Sequence, residues 1–184
     1  MQAIASVRAA LALVLALAAA APTAHAKSAA EIDEQSAAAL RHLIASNPAA
    51  KSLAKDARAV LVFPNIVKGG FLFGGQIGAG ALRVGGHTEA YYRTVSASYG
   101  LQAGVQSYGY ALFFMNDAAL EYFRKTEGWE LGVGPSLVVV DKGVASSLTT
   151  TTARSDIYAF SFDQQGLMAG IGLQGTKVYR IHPK

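Results

Sequence analysis

Six cations between Lys51 and Arg93 are the residues of this chain whose type and spacing first suggest chemistry. Lys51, Lys55, Arg58, Lys68, Arg83 and Arg93 share that span with only Asp56 and Glu89, whereas residues 27–50 are slightly acidic and residues 94–184 are balanced. A local positive field attracts anions, including lipid headgroups and nucleic acid. The plainer alternative is a solvated face without a partner. Asn47-Pro48 marks a helix start, because proline at the first helical position forfeits no hydrogen bond. A helix from there to about Arg58 places Lys51, Lys55 and Arg58 at i, i+4 and i+7, on one face. Beside an alanine-rich face, such a basic face either lies on an anionic membrane or forms the wet side of a packed helix.

Other candidate chemistries fail on context. Gly170-Ile171-Gly172-Leu173-Gln174-Gly175 spells G-x-G-x-x-G. A dinucleotide loop, however, needs a following helix and an acidic residue about 20 positions on. Here Thr176 to Lys184 reads as a strand and a tail. His42, His87 and His182 show no metal-ligand spacing, and no G-x-S-x-G elbow is present. Asp117, Glu121, Glu127 and Glu130 supply carboxylates, but nothing in their spacing pairs two of them in a cleft. The chain is therefore read as a non-enzyme that uses no cofactor and no metal. Tyr91, Tyr92, Tyr99, Tyr108, Tyr110, Phe113 and Phe114 are explained as strand formers, so nucleic acid is not an expected partner.

The elements that position these residues begin after a leader. Arg8, the apolar run Ala9–Ala21 and Ala24-His25-Ala26 form the pattern of a secretory signal peptide cleaved after Ala26. Residues 27–184 then make one domain, exported and, where an outer membrane exists, periplasmic. With no cysteine in the chain, that domain must be held by its core rather than by disulfides. Ser28-Ala29-Ala30-Glu31 fits a capping box for a helix over about 30–45. The segment from Val60 to Leu82 is too rich in Gly and Pro for a helix. It reads as a strand to Phe63, a turn over Asn65–Gly70 after Pro64, and glycine-lined strands beyond. Gly85-Gly86 predicts a hairpin joining Ile77–Val84 to Glu89–Val95. Asn116 caps a short helix ending at Lys125, and further strands are expected at Glu130–Gly134, Leu137–Val140, Ile157–Phe162, Leu167–Leu173 and Lys177–Ile181. The fold class is α+β: a curled antiparallel β-sheet or partial barrel of seven or more short strands, with two N-terminal helices and one short internal helix.

Four blocks carry a resemblance. They are Val60–Leu82 (VLVFPNIVKGGFLFGGQIGAGAL), Tyr99–Tyr108 (YGLQAGVQSY), Gly128–Gly132 (GWELG) and Gly166–Lys177 (GLMAGIGLQGTK). In this order they resemble the SYLF lipid-binding domain family across nearly the whole of residues 29–181. The resemblance implies a non-enzymatic module that binds membrane lipid, with phosphoinositides and actin filaments as partners of eukaryotic members. An exported chain would meet neither actin nor, ordinarily, phosphoinositides, so the expected partner is an anionic phospholipid or membrane surface. The residues expected to bind it are Lys51, Lys55, Arg58, Lys68 and Arg83. The alternative is a structural protein of the bacterial envelope that binds a protein partner.

Overall fold

Ser28 starts the first helix: its Oγ accepts from the Glu31 amide at 3.2 Å. The Glu31 carboxylate does not reach back to complete the box; it accepts instead from Gln35 Nε2 at 3.0 Å. A computed structural model describes residues 26–71, 73–99, 104–126, 128–140, 154–166 and 175–184. The stretch 144–153, the strand expected over 167–173, Glu127 and most of the 170–175 glycine motif lie outside these residues. Helix α1, Ala29–Ser46, buries Ile32, Ser36 and Leu43. Asn47 ends α1 and caps α2, Pro48–Leu53, by accepting from the Ala49 and Ala50 amides at 3.0 and 3.1 Å.

Helix α2 is shorter than its sequence suggests. The Asp56 and Ala57 amides both close on Leu53 O, and the Arg58 amide donates to Phe114 O at 2.8 Å. Sheet pairing thus captures the backbone where helix was expected to continue. Lys55 and Arg58 lie beyond α2, so the single basic helical face does not form.

Eight strands make one curled sheet. They are β1 (Ala59–Phe71), β2 (Phe73–Val84), β3 (His87–Tyr99), β4 (Gly104–Phe114), β5 (Trp129–Glu130), β6 (Leu137–Val140), β7 (Ile157–Gly166) and β8 (Lys177–Ile181), in spatial order β5-β8-β3-β2-β1-β4-β7-β6. Helix α3, Asp117–Lys125, follows β4 and is capped by Asn116, which accepts from the Ala119 amide at 2.8 Å. Two expectations are corrected here. The sheet is mixed, because β6 pairs with β7 in parallel while all other neighbours are antiparallel. The four central strands are also long, at 11 to 13 residues. The strand expected over Glu130–Gly134 covers only Trp129–Glu130, because a turn follows at Leu131.

The expected turn over Asn65–Gly70 is strand. β1 runs straight through Pro64, with Val62 opposite Ala81 and Asn65 opposite Ala79, so Phe63 and Pro64 together face Gly80. Two residues against one is a β-bulge, a position that spares proline the ladder hydrogen bond it cannot donate. The chain instead reverses between Phe71 and Phe73, which are register partners. The Gly85-Gly86 hairpin forms as expected, with φ of 57° and 85°, the left-handed pair that a tight two-residue turn demands.

Both faces of the sheet are apolar at its centre. Leu61, Phe63, Leu112 and Phe114 point to the side covered by α3 and Trp129. Val60, Val62, Phe113 and Phe160 point to the side covered by Leu43 of α1 and Leu53 of α2. On the first side Phe123 packs 5.1 Å from Phe114 and 5.4 Å from Trp129, ring centre to ring centre. Burial of such side chains is worth about 1.5–3 kcal/mol each. It explains why Ala111–Phe114 reads as a continuous apolar run and not as an alternation.

Candidate functional site

Beyond the bulge, the helix-side residues of β1 are Asn65 and Val67. Register aligns them into two rows: Asn65, Ala79, Arg93 and Tyr179, then Val67, Ile77, Val95 and Lys177. The first turn of α1 and the tail after β8 border these rows, and the Ala29 amide joins the two by donating to Lys184 O at 3.1 Å. Between helix, tail and sheet lies a cavity of about 890 Å³. Ile32, Val67, Ile77, Ala79, Ile181 and Pro183 give it apolar walls.

The charge of the lining is one-sided. Lys27, Arg93 and Lys184 contribute to it and no Asp or Glu does. Lys27 Nζ donates to Gln35 Oε1 at 2.6 Å, and among the described residues no carboxylate pairs with Arg93. Val67 and Ile77 stay 44% and 53% exposed at the mouth, and Val105, one row further along the same face, is 65% exposed. A contiguous apolar strip left in water on an otherwise well-packed sheet marks an interaction surface more often than chance exposure does.

The five cations singled out from sequence are dispersed, and none lines this cavity. Lys51 and Lys55 are exposed on and just after α2. They are separated from the cavity by the length of α1, about 27 Å at 1.5 Å per residue. Arg58 lies 3.7 Å from Asp117 at the start of α3. Lys68 alternates with Val67 and so points to the opposite face, in a row with Gln76 and Gln106. Arg83 is engaged structurally: its guanidinium donates to Asp33 Oδ1 at 2.8 Å, Thr88 Oγ1 at 3.0 Å and Gly86 O at 2.6 Å. The Thr88 hydroxyl foremost, and Arg83 after it, hold the Asp33 carboxyl below its ordinary value against a smaller opposing effect of burial.

Sequence reasoning missed Lys27 and Lys184, because only the fold brings the two ends of the domain together. Arg93 was counted in the basic excess. Its strand period with Tyr91 and Val95 was the one signal that set it on the face of Ile77 and Ala79.

The other face holds a buried polar network. Tyr108 OH donates to Gln76 Oε1 at 2.7 Å, and Gln76 Nε2 donates to Thr176 Oγ1 at 3.1 Å. Burial pushes the Tyr108 hydroxyl up to about 12 and raises that of Tyr110 as well. Among the described residues Tyr110 OH is buried without a partner.

Of the carboxylates considered for acid–base work, the three that are described each face a different cation. Asp117 faces Arg58, Glu121 accepts from Lys125 Nζ at 3.1 Å, and Glu130 lies opposite Lys177. Among the described residues no three His, Asp or Glu side chains gather to hold a metal, and no helix is long and apolar enough to cross a membrane.

The family model Ysc84, described as Las17-binding protein actin regulator, matches residues 95–182. That span covers three of the four blocks that carry the SYLF resemblance and leaves out Val60–Leu82. No curated protein matches the chain.

Proposed function

Through residues 95–182 the chain belongs to the Ysc84, or SYLF, domain family, and from that premise we propose that it is a non-enzymatic lipid-binding module which associates peripherally with anionic membrane lipid. The observation that carries this reading is the helix-side mouth of the sheet, where half-exposed Val67 and Ile77 sit beside Lys27, Arg93 and Lys184 with no Asp or Glu side chain among the lining residues. Apolar side chains enter the acyl boundary while cations meet phosphate, the division of labour of an interfacial site. Each basic residue near an anionic surface contributes about 1 kcal/mol, so three give about 3 kcal/mol, screened by salt.

The leader pattern of residues 1–26 supports export, so the membrane met would be one of the cell envelope. The ligand class is an anionic phospholipid headgroup; the phosphoinositide type is what the family resemblance implies. Lys51 and Lys55, exposed at the far end of α1, would be a separate and weaker contact.

Co-sedimentation with phosphatidylglycerol-containing vesicles, against phosphatidylcholine alone, tests the proposal. Binding should favour the anionic vesicles, weaken with salt, and fall in Arg93→Glu more than in the combined Lys51→Glu, Lys55→Glu variant. Equal and negligible binding to both vesicle types would refute it.

A further inference from the structure

We infer that the cavity takes up one acyl chain of an anionic amphiphile, so that the protein holds single lipid molecules as well as touching a bilayer. This rests on the lipid-binding reading and deepens it. A convex apolar patch is enough for adsorption to a membrane, but here the sheet face, the first turn of α1 and the tail border a half-open cavity of about 890 Å³. That volume falls within the range of about 300–1,000 Å³ typical of pockets that bury most of a small ligand.

The arrangement of wall and rim identifies the occupant. Ile32, Val67, Ile77 and Ala79 offer hydrocarbon along the wall, which suits methylenes and holds water poorly. The charged side chains there, Lys27, Arg93 and Lys184, are of one sign. That selects a carboxylate or phosphate head and disfavours a cationic amphiphile. Arg93 and Ile77 share one face of neighbouring strands, offset by one row, since Arg93 pairs with Ala79 and Ile77 with Val95. Head and chain of one molecule can therefore be engaged together. The wall opposite the sheet includes the tail His182–Lys184, which has no regular secondary structure and is joined to α1 by the Ala29–Lys184 backbone bond.

Titration of the purified protein with cis-parinarate, a fluorescent long-chain fatty acid, in the absence of vesicles tests this directly. The expected result is saturable one-to-one enhancement. Ile77→Trp and Val67→Trp, which fill the cavity from half-exposed positions, should each weaken it about tenfold, as should Arg93→Glu. Arg93→Glu should weaken the methyl ester much less. Lys125→Glu, on α3 away from the cavity, should leave uptake unchanged. Thermal unfolding of each variant reports folding, and either tryptophan variant suffices if the other does not fold. No saturable uptake by a protein that still co-sediments with anionic vesicles overturns chain uptake and leaves surface binding standing. Failure of both overturns the lipid reading as well. Uptake undiminished by a folded tryptophan variant overturns the assignment to this cavity.

Discussion

The hydroxyl of Ser36 on α1 donates to the carbonyl oxygen of Val62 on β1 over 3.3 Å, and both residues are wholly buried. Val62 is the last paired residue before the bulge at Phe63-Pro64, so this bond ties the helix to the point where β1 changes register. The bulge also sets which residues of β1 face the cavity. A single extra residue shifts Asn65 and Val67 onto the helix side and Ile66 and Lys68 onto the other.

Ser36→Ala removes the donor and leaves the Val62 carbonyl buried with one partner fewer. The expected cost is about 1–3 kcal/mol. Urea unfolding should show a lower midpoint with an unchanged m value.

Gly80→Ala should be among the most damaging small substitutions. A Cβ there would collide with the Val62 carbonyl oxygen, just before the bulge, and come within 2.6 Å of the Phe63 ring inside it. The expected loss is at least about 1–3 kcal/mol, the usual cost of overpacking. Gly85→Ala meets nothing within 4 Å and costs only the strain of its positive φ. Gly80 has no positive φ, so the fall in its variant's melting temperature from wild type measures the collision.

Tyr108→Phe and Tyr110→Phe should move stability differently. Tyr108 OH satisfies Gln76 Oε1, so its loss leaves a buried amide oxygen unpaired. Tyr110 OH has no partner to lose among the described residues, so Tyr110→Phe should be neutral or stabilising. Tyr108 also gives a signature in alkali. Its folded pKa of about 12 lies above the ordinary 10.0, so its stabilising contribution is complete below pH 10 and is lost as pH rises towards 12. Absorbance titration of the phenolate should show a late-ionising tyrosine that Tyr108→Phe removes.

Asp33 works in the opposite direction. Its carboxyl is lowered from 3.8, chiefly by the Thr88 hydroxyl and then by Arg83. Its contribution is therefore present above the unfolded value and disappears as pH falls through the folded one. Asp33→Asn should flatten that acid limb of the stability profile, read as the change in melting temperature between neutral pH and pH 3.

Much of the fold is written in local sequence. Ser28, Asn47 and Asn116 each cap the helix they announce, and Gly85-Gly86 makes its hairpin, because those signals act within a few residues. The failures share one cause, long-range pairing overriding local preference. Pro64 reads as a strand terminator but becomes a bulge because β2 offers Gly80 opposite it. The basic run to Arg58 reads as helix, but Phe114 claims the Arg58 amide. Ser36 is a polar residue buried on α1, and its partner is the buried Val62 carbonyl that the fold brings beside that same bulge. The candidate site was the least legible part. Lys27 and Lys184 stand at opposite ends of the domain sequence, and only the packing of the α1 start and the tail against β3 brings them to Arg93.

The central claim is that anionic lipid is bound at the mouth formed by Val67, Ile77 and Arg93. Vesicle co-sedimentation of the wild type and Arg93→Glu, over anionic and neutral bilayers at low and moderate salt, tests it most directly. The account predicts salt-sensitive binding to anionic vesicles alone, reduced about fivefold or more by the reversal, since each cation contributes about 1 kcal/mol. Binding that ignores lipid charge, or that Arg93→Glu leaves intact while the Lys51→Glu, Lys55→Glu variant abolishes it, would contradict it.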